Sequence, residues 1–524
     1  MFDIVIRNGN VLDGTGTAAR RLDVGVLGGR IAALGDLGAA ETRRVIDAGG
    51  KTVCPGFLDL HRHADAALLR PGYGVSDLMQ GITTVGNGNC GLSLAPQFGP
   101  HTDAVAAYLH PVTGDFGAVP VSSLREYHAA LRAHGLPVNV LTLAGGGTIR
   151  AAVAGFSKVR LEDEDCRAIH ALLEKTLREG AGGVSVGLGY APECFYTTDE
   201  LIRALEPIRG SGIVLSAHVR GEAMHLLESH EEMLTVARAL NVPLQLSHLK
   251  GTGRENWGKL VPEALKRIAR AREEGLDVSC DAYPYTAGST QLIHILPPEF
   301  LQGGTRAMTE RLKDPRERRA LKARLKTGRD FDNYVYLVGW ENICPSSVKC
   351  PDDERYIGRS IAEAAGDGDP ADLAFDLLVR SECEVTMIDR LTDEDDIAAI
   401  YQSPFAYVVS DATYPTSGLL HPRVYGAFAQ VVDRFVNQRR DLTLPEAVNR
   451  MTLRPAQRYG LRQKGRIAPG ADADILVFDP AAVRAAATFR EPTRPAEGMD
   501  YVLVNGQAAV DEGRMTDVKA GKVL

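Results

Sequence analysis

Two histidines set two apart, His61 and His63, close the apolar run Phe57-Leu58-Asp59-Leu60. On an extended strand residues i and i+2 face the same way, so both imidazoles can enter one site. The pair alone is equally compatible with a packing role. Its position after Pro55-Gly56, which breaks the preceding segment, puts it at the C-terminal mouth of a strand, where barrel enzymes keep their chemistry. Four further donors stand at the ends of later apolar runs: Cys90 after Thr83-Thr84-Val85-Gly86-Asn87-Gly88-Asn89, His218 after Ile213 to Ala217, His248 after Leu244 to Ser247, and Asp411 after Tyr407 to Ser410. Taken singly, Cys90 reads as a small buried hydrophobe, either histidine as a core residue and Asp411 as a helix N-cap. Jointly they read as a metal site. Of the thirteen histidines, four fall at strand ends, whereas His128, His134 and His170 lie on helical stretches. Imidazole and thiolate donors with one carboxylate suit zinc, and an open coordination position would take a water. Zinc lowers the pKa of its water from about 15.7 towards about 7. A carboxylate is then needed to take the proton and pass it to a leaving nitrogen, and Asp411 suits that acid/base role.

The elements that must position these donors follow from the apolar pattern. Short apolar runs alternate with helical stretches such as Cys166 to Glu179 and Val261 to Glu274, the signature of a parallel sheet with crossover helices. Eight strands are predicted, ending near His63, Cys90, Gly145, Leu188, His218, His248, Tyr283 and Ser410. The fold class is α/β, a (β/α)8 TIM barrel over residues 56–466. The first fifty residues read instead as short strands with tight turns at Asn8-Gly9 and Gly28-Gly29, and that texture returns in Ala473 to Phe478 and Tyr501 to Gly506. Residues 1–55 and 467–524 are therefore expected to form one small β-sandwich. About a hundred residues, 288–403, separate the last two barrel strands, far beyond a usual loop. They read as an inserted subdomain with a helix over 305–327, a strand at Tyr334 to Val338 and a helix at Asp372 to Arg380, and serve either as a lid or as a peripheral packing element.

Composition bounds the partners. A chain of 524 residues with 44% hydrophobic content can bury a large core, and a net charge of -8 gives no basic face for nucleic acid. No apolar run is long enough to span a bilayer, and the first residues run into a strand without a basic leader, so neither membrane insertion nor export is expected. Eight cysteines without a CxxC pair point to a reducing compartment, the cytoplasm. Oligomeric state has no signature here.

With these residues in view the chain resembles the amidohydrolase superfamily, and within it the N-acyl-D-amino-acid deacylases (D-aminoacylases). The resemblance rests on Gly56 to His63, Gly88-Asn89-Cys90-Gly91, Ser216-Ala217-His218-Val219-Arg220, Ser247-His248-Leu249-Lys250 and Ser410-Asp411. Cys90 discriminates, because dihydropyrimidinases and dihydroorotases bridge their metals with a carboxylated lysine. The resemblance implies a zinc held by Cys90, His218 and His248, with His61, His63 and Asp411 forming a second site that is weak or empty in relatives. It implies that Lys250 and Arg423 grip a substrate carboxylate, a task suited to a planar guanidinium. Tyr190 matches a tyrosine that meets the scissile carbonyl or the carboxylate, though it also reads as a barrel-mouth aromatic. Arg220 and Ser289 are further candidates for the pocket wall. Two departures stand out: Ala64 follows His63 where the family commonly has Asp, with Asp65 one place on, and Gly146 stands where relatives often carry His. The activity implied is zinc-dependent hydrolysis of an N-acyl-D-amino acid. The alternatives are another amidohydrolase reaction, such as cyclic-amide hydrolysis or deamination, and a barrel kept for partner binding alone, which would be expected to have lost several of these donors.

Overall fold

The computed structural model describes residues 1–524. Its centre is a ring of parallel strands, here β1 (Phe57–Asp59), β2 (Ile82–Asn87), β3 (Asn139–Thr142), β4 (Val184–Gly187), β5 (Leu215–His218), β6 (Leu244–Ser247), β7 (Val278–Ala282) and β8 (Ala406–Val408). Neighbours pair in chain order from β1 to β3 and from β4 to β8. The short strand Ala144–Gly145, just past β3, pairs with β4 and joins the two arcs. Closure comes between the first and last strands, where Asp411 N donates to His61 O at 2.8 Å and His63 N to Ala412 O at 2.8 Å. The fold is thus a TIM-type barrel of eight strands.

Crossover helices form where sequence and caps agree. Asp163–Arg178 buries Cys166, Ile169, Leu172, Leu173 and Thr176, a spacing that draws one apolar stripe along a helix. Glu162 and Asp165 form a reciprocal capping box at its start; three acids occupy its first turn and Lys175 and Arg178 its last, as the macrodipole favours. Leu260–Glu273, between β6 and β7, likewise buries one stripe, Val261, Ala264, Ile268 and Ala271, with Glu263 in its first turn and Arg270 and Arg272 in its last.

Strands from both chain ends meet in one nine-stranded sheet, with Thr52–Pro55 antiparallel to Ile475–Phe478. Its hairpin at Gly28-Gly29 has φ of 59° and 78°, left-handed values that glycine adopts without strain. No helix of the chain is long and apolar enough to cross a membrane.

The segment between β7 and β8 departs from expectation in four ways. Its sheet is antiparallel and three-stranded, built from Ala287–Gln291, Val385–Arg390 and Ile343–Val348. Tyr334–Val338 is a short helix rather than a strand, started by the Asn333 side chain accepting from Tyr336 N at 3.2 Å. A five-residue apolar run carries no period that separates the two. The helix expected over 305–327 is two, Gly304–Lys313 and Pro315–Thr327, because the residue before a proline is driven out of helical geometry and Asp314 caps the second. Pro370–Arg380 is helical as expected. Glu394–Gln402, which lay inside the expected insertion, packs on Leu260–Glu273, β7 and β8 and serves as the last crossover helix. The inserted part therefore ends near Arg390. A separate core of 31 buried residues joins it to the helix Thr102–Thr113 and reaches Cys90, Leu92 and Ala191 at the barrel mouth, so the insertion roofs the C-terminal face.

Beneath that mouth lies a fully buried polar knot. Asp59 on β1 accepts from Ser410 N at 2.9 Å and from the Ser410 hydroxyl, and Arg62 spans Asp59 (Nε to Oδ2, 2.9 Å) and Asp77. Replacing Asp59 by Ala leaves Arg62 half-paired and the Ser410 amide without its acceptor. The expected cost is about 3–5 kcal/mol, read as a lower denaturant midpoint, whereas Asp59→Asn should lose less.

Candidate metal centre

The six donors named from sequence converge. His218 ends β5 and His248 follows β6, so both sit at the rim with their rings turned inward. Cys90 lies three residues past β2 in left-handed backbone at φ 54°, between Gly88 and Gly91, which are also left-handed. Asp411 takes φ 52° just after β8. Non-glycine residues held there are uncommon and cluster at functional sites. His61 Nε2 stands 3.1 Å from Cys90 Sγ and 3.5 Å from Asp411 Oδ1. His63 Nε2 is 3.3 Å from Asp411 Oδ1, and His248 Nε2 is 3.2 Å from Asp411 Oδ2. Donor atoms fall into two groups, each within 4.8 Å: His61, His63, Cys90 and Asp411, and Cys90, His218 and His248. Cys90 is common to both.

Charge state favours cation binding. Burial alone would push the Cys90 thiol up, but His61, His218 and His248 reverse this and hold it well below the ordinary thiol range. The thiolate is the form that ligates metals. Burial likewise opposes ionisation of Asp411, and Arg423, His248 and His63 overcome it, keeping its carboxyl well below the usual range. Nitrogen, sulfur and one carboxylate, buried together, fit zinc.

Sequence reading missed the carboxylates that orient this set. Glu222, four residues past His218, is buried and sits 3.1 Å from His248 Nδ1 while accepting from Lys250 Nζ at 2.5 Å. Burial would raise its pKa, but Lys250, His218 and His248 hold it far below the carboxylate range. Asp281 on β7 lies 3.8 Å from His61 Nδ1 and accepts from Ser247 Oγ at 2.6 Å and Gln245 Nε2 at 2.8 Å. Such outer partners fix the ring orientation of metal-ligating histidines. The only cue was position: Asp281 lies near the end of β7 and Glu222 in the loop just past β5.

The expected substrate residues line or back one cavity over the donors. Lys250 projects into it beside Glu222. Arg423 is fully buried behind Asp411, donating to Oδ2 at 2.8 Å and to Ser289 O at 3.0 Å, with its guanidinium 4.9 Å from the Tyr283 ring centre. The Tyr190 ring centre lies 4.3 Å from that of His218, tilted against it, and 4.5 Å from that of His294, edge to face. Arg220 stays at the rim, held by Glu232 and by the carbonyls of Cys194 and Tyr196 at 2.8 and 2.9 Å. Ser289 Oγ meets Thr413 Oγ1 at 3.3 Å.

Both departures from the family pattern have structural counterparts. Asp65 is buried and accepts from Leu94 N at 3.1 Å and Gly88 N at 3.4 Å, tying the Cys90 loop to β1. A Cβ at Gly146 would come 2.6 Å from Glu193 Oε1, so the buried Glu193 carboxyl fills the space a larger residue would need.

Residues 44–113 and 410–510 match the model of the amidohydrolase family. The chain is 34% identical to the D-aminoacylase of Alcaligenes xylosoxydans xylosoxydans over 100% of its own length and 97% of that protein. It is 34% identical to the N-acyl-D-aspartate deacylase of the same organism, over 100% and 95%. The crystal structure of N-acyl-D-glutamate deacylase from Bordetella bronchiseptica, complexed with zinc and a phosphonate mimic of the tetrahedral intermediate, superposes with a TM-score of 0.83 at 33% identity. That match covers 100% of this chain and 99% of that one.

Two substitutions separate donor from orienting carboxylate. Cys90→Ala removes the atom common to both groups and should abolish zinc retention through purification. Glu222→Gln should retain the metal with roughly 10–100-fold weaker affinity. Competition against a chromophoric chelator reads both.

Proposed function

Since the chain belongs to the D-aminoacylase branch of the amidohydrolases, we propose that it hydrolyses the amide bond of N-acyl-D-amino acids, giving a carboxylate and a free D-amino acid. The observation that carries the reading is the shared position of Cys90 between two donor groups at the barrel mouth. Cys90, His218 and His248 would hold the tightly bound zinc, and His61, His63 and Asp411, with Cys90 in reach, a second ion. Zinc at such a site supplies Lewis acidity to the scissile carbonyl and lowers the pKa of water.

The chain's own groups do the rest. Asp411, ionised and facing the donors, takes the proton of the attacking water at its carboxylate and returns it to the leaving nitrogen, so that the amine departs neutral. Arg423 has two tasks: its bond to Asp411 fixes that carboxylate, and its charge with that of Lys250 matches the substrate carboxylate. Tyr190, tilted against His218, meets the scissile carbonyl or the carboxylate, while Arg220 and Ser289 shape the wall. The insertion, which we place at about 288–390 with its sheet closest to the site, excludes water. Asp332 fastens it by accepting from the amides of Glu222 and of Ala223, the latter at 3.0 Å. Residues 1–55 and 467–524 make up the small β-sandwich beside the barrel, 56–466. Eight cysteines, all free, support a cytoplasmic location.

Zinc-loaded protein should release free amine from N-acetyl-D-amino acids, and turnover of L isomers alone would overturn the reading. Asp411→Asn should lower kcat roughly 10²–10⁴-fold with the tight zinc still bound. Arg423→Met should raise KM for substrates bearing a carboxylate and also lower kcat on a carboxylate-free amide, because it releases Asp411; a pure KM effect would remove its first task, the fixing of Asp411.

A further inference from the structure

Similarity does not choose the substrate side chain, since D-aminoacylase and N-acyl-D-aspartate deacylase are equally identical to this chain. The cavity wall does. Asp389, on the inserted strand Val385–Arg390, faces the cavity with a fully buried side chain, and neither carboxylate oxygen has a hydrogen-bond partner. It lies across the sheet from Gly288, whose missing Cβ would stand 3.2 Å from both Asp389 Oδ1 and the Tyr283 hydroxyl. Such a bare buried carboxylate is costly unless a ligand completes it.

The cations near it are already engaged. Lys250 is held by Glu222, Arg423 by Asp411, and Arg220 by Glu232. His294 offers no charge, because burial pushes its pKa down to about 3. A substrate with one carboxylate can draw on Lys250 and Arg423. A second carboxylate, as in the side chain of D-aspartate or D-glutamate, would enter a buried wall with no free cation, where Asp389, its pKa pushed up to about 7 by burial, adds like charge whenever it is ionised. A neutral amide or hydroxyl would instead give Asp389 the donor it lacks.

We propose that Asp389 is a specificity-determining residue, by which the cavity accepts N-acyl-D-amino acids with uncharged side chains and turns away those carrying a second carboxylate. The inference rests on the deacylase reading. Its test compares kcat/KM of the zinc-loaded enzyme for N-acetyl-D-glutamine and N-acetyl-D-glutamate, two side chains of nearly equal shape. The wild type should favour glutamine by roughly 100-fold or more, and Asp389→Asn should shrink that ratio at least tenfold, chiefly through better use of glutamate. A misfolded enzyme would lower both substrates together and leave the ratio alone, so the ratio is the readout. Glutamate used as well as glutamine by the wild type, or a ratio unmoved in the variant, overturns the role of Asp389 while leaving deacylation intact. Failure to turn over any N-acetyl-D-amino acid overturns the deacylase reading and this inference with it.

Discussion

The seam between the first and last barrel strands is the constraint on which the site depends. His61 and His63 stand on one side of it and Asp411 on the other, so their separation is set by how the barrel closes. Two backbone hydrogen bonds align the strands, and the buried Asp59 locks them by taking both the amide and the hydroxyl of Ser410. Its charge is tolerable there only because Arg62, itself shared with Asp77, neutralises it. The residue between the two histidines is therefore structural, its side chain turned away from the metal face while its neighbours point in.

Above the seam, acids outnumber unengaged bases and are arranged in tiers. Asp411 and Cys90 face the donors' centre; Glu222 and Asp281 stand behind His248 and His61; Asp65 holds the Cys90 loop. Bringing these buried carboxylates and the thiolate together without cations would be prohibitive. The arrangement is stable to the extent that Lys250, Arg423, the imidazoles and a bound metal supply the compensating charge, which links metal binding to folding of the mouth.

The donor cluster was legible in sequence because parallel barrels concentrate chemistry at strand ends and because His61 and His63 share a strand face. Cys90 gained meaning only jointly with the others. Glu222, Asp281 and Asp389 stayed hidden for a different reason. Each is a carboxylate among 67 acidic residues, and what distinguishes it is a neighbour supplied by another strand or by the insertion. The insertion was itself the least legible region. Its sheet pairs strands far apart in sequence, the run at Tyr334 lacks a readable period, and only the break at Pro315 carried a local signal that the pattern of charged residues masked.

Glu193 and Gly146 carry a consequence for how this chain can vary. The carboxyl of Glu193 occupies the volume that a side chain at 146 would need, and its Oε2 accepts from the Gly187 amide at 2.7 Å. A histidine introduced at 146 alone collides with it, and a small residue introduced at 193 alone opens a void and orphans that amide. Each single change is therefore costly, and the clash at 146 is relieved only when 193 changes with it. The two positions thus form an epistatic unit, in which the residue at one sets the size allowed at the other.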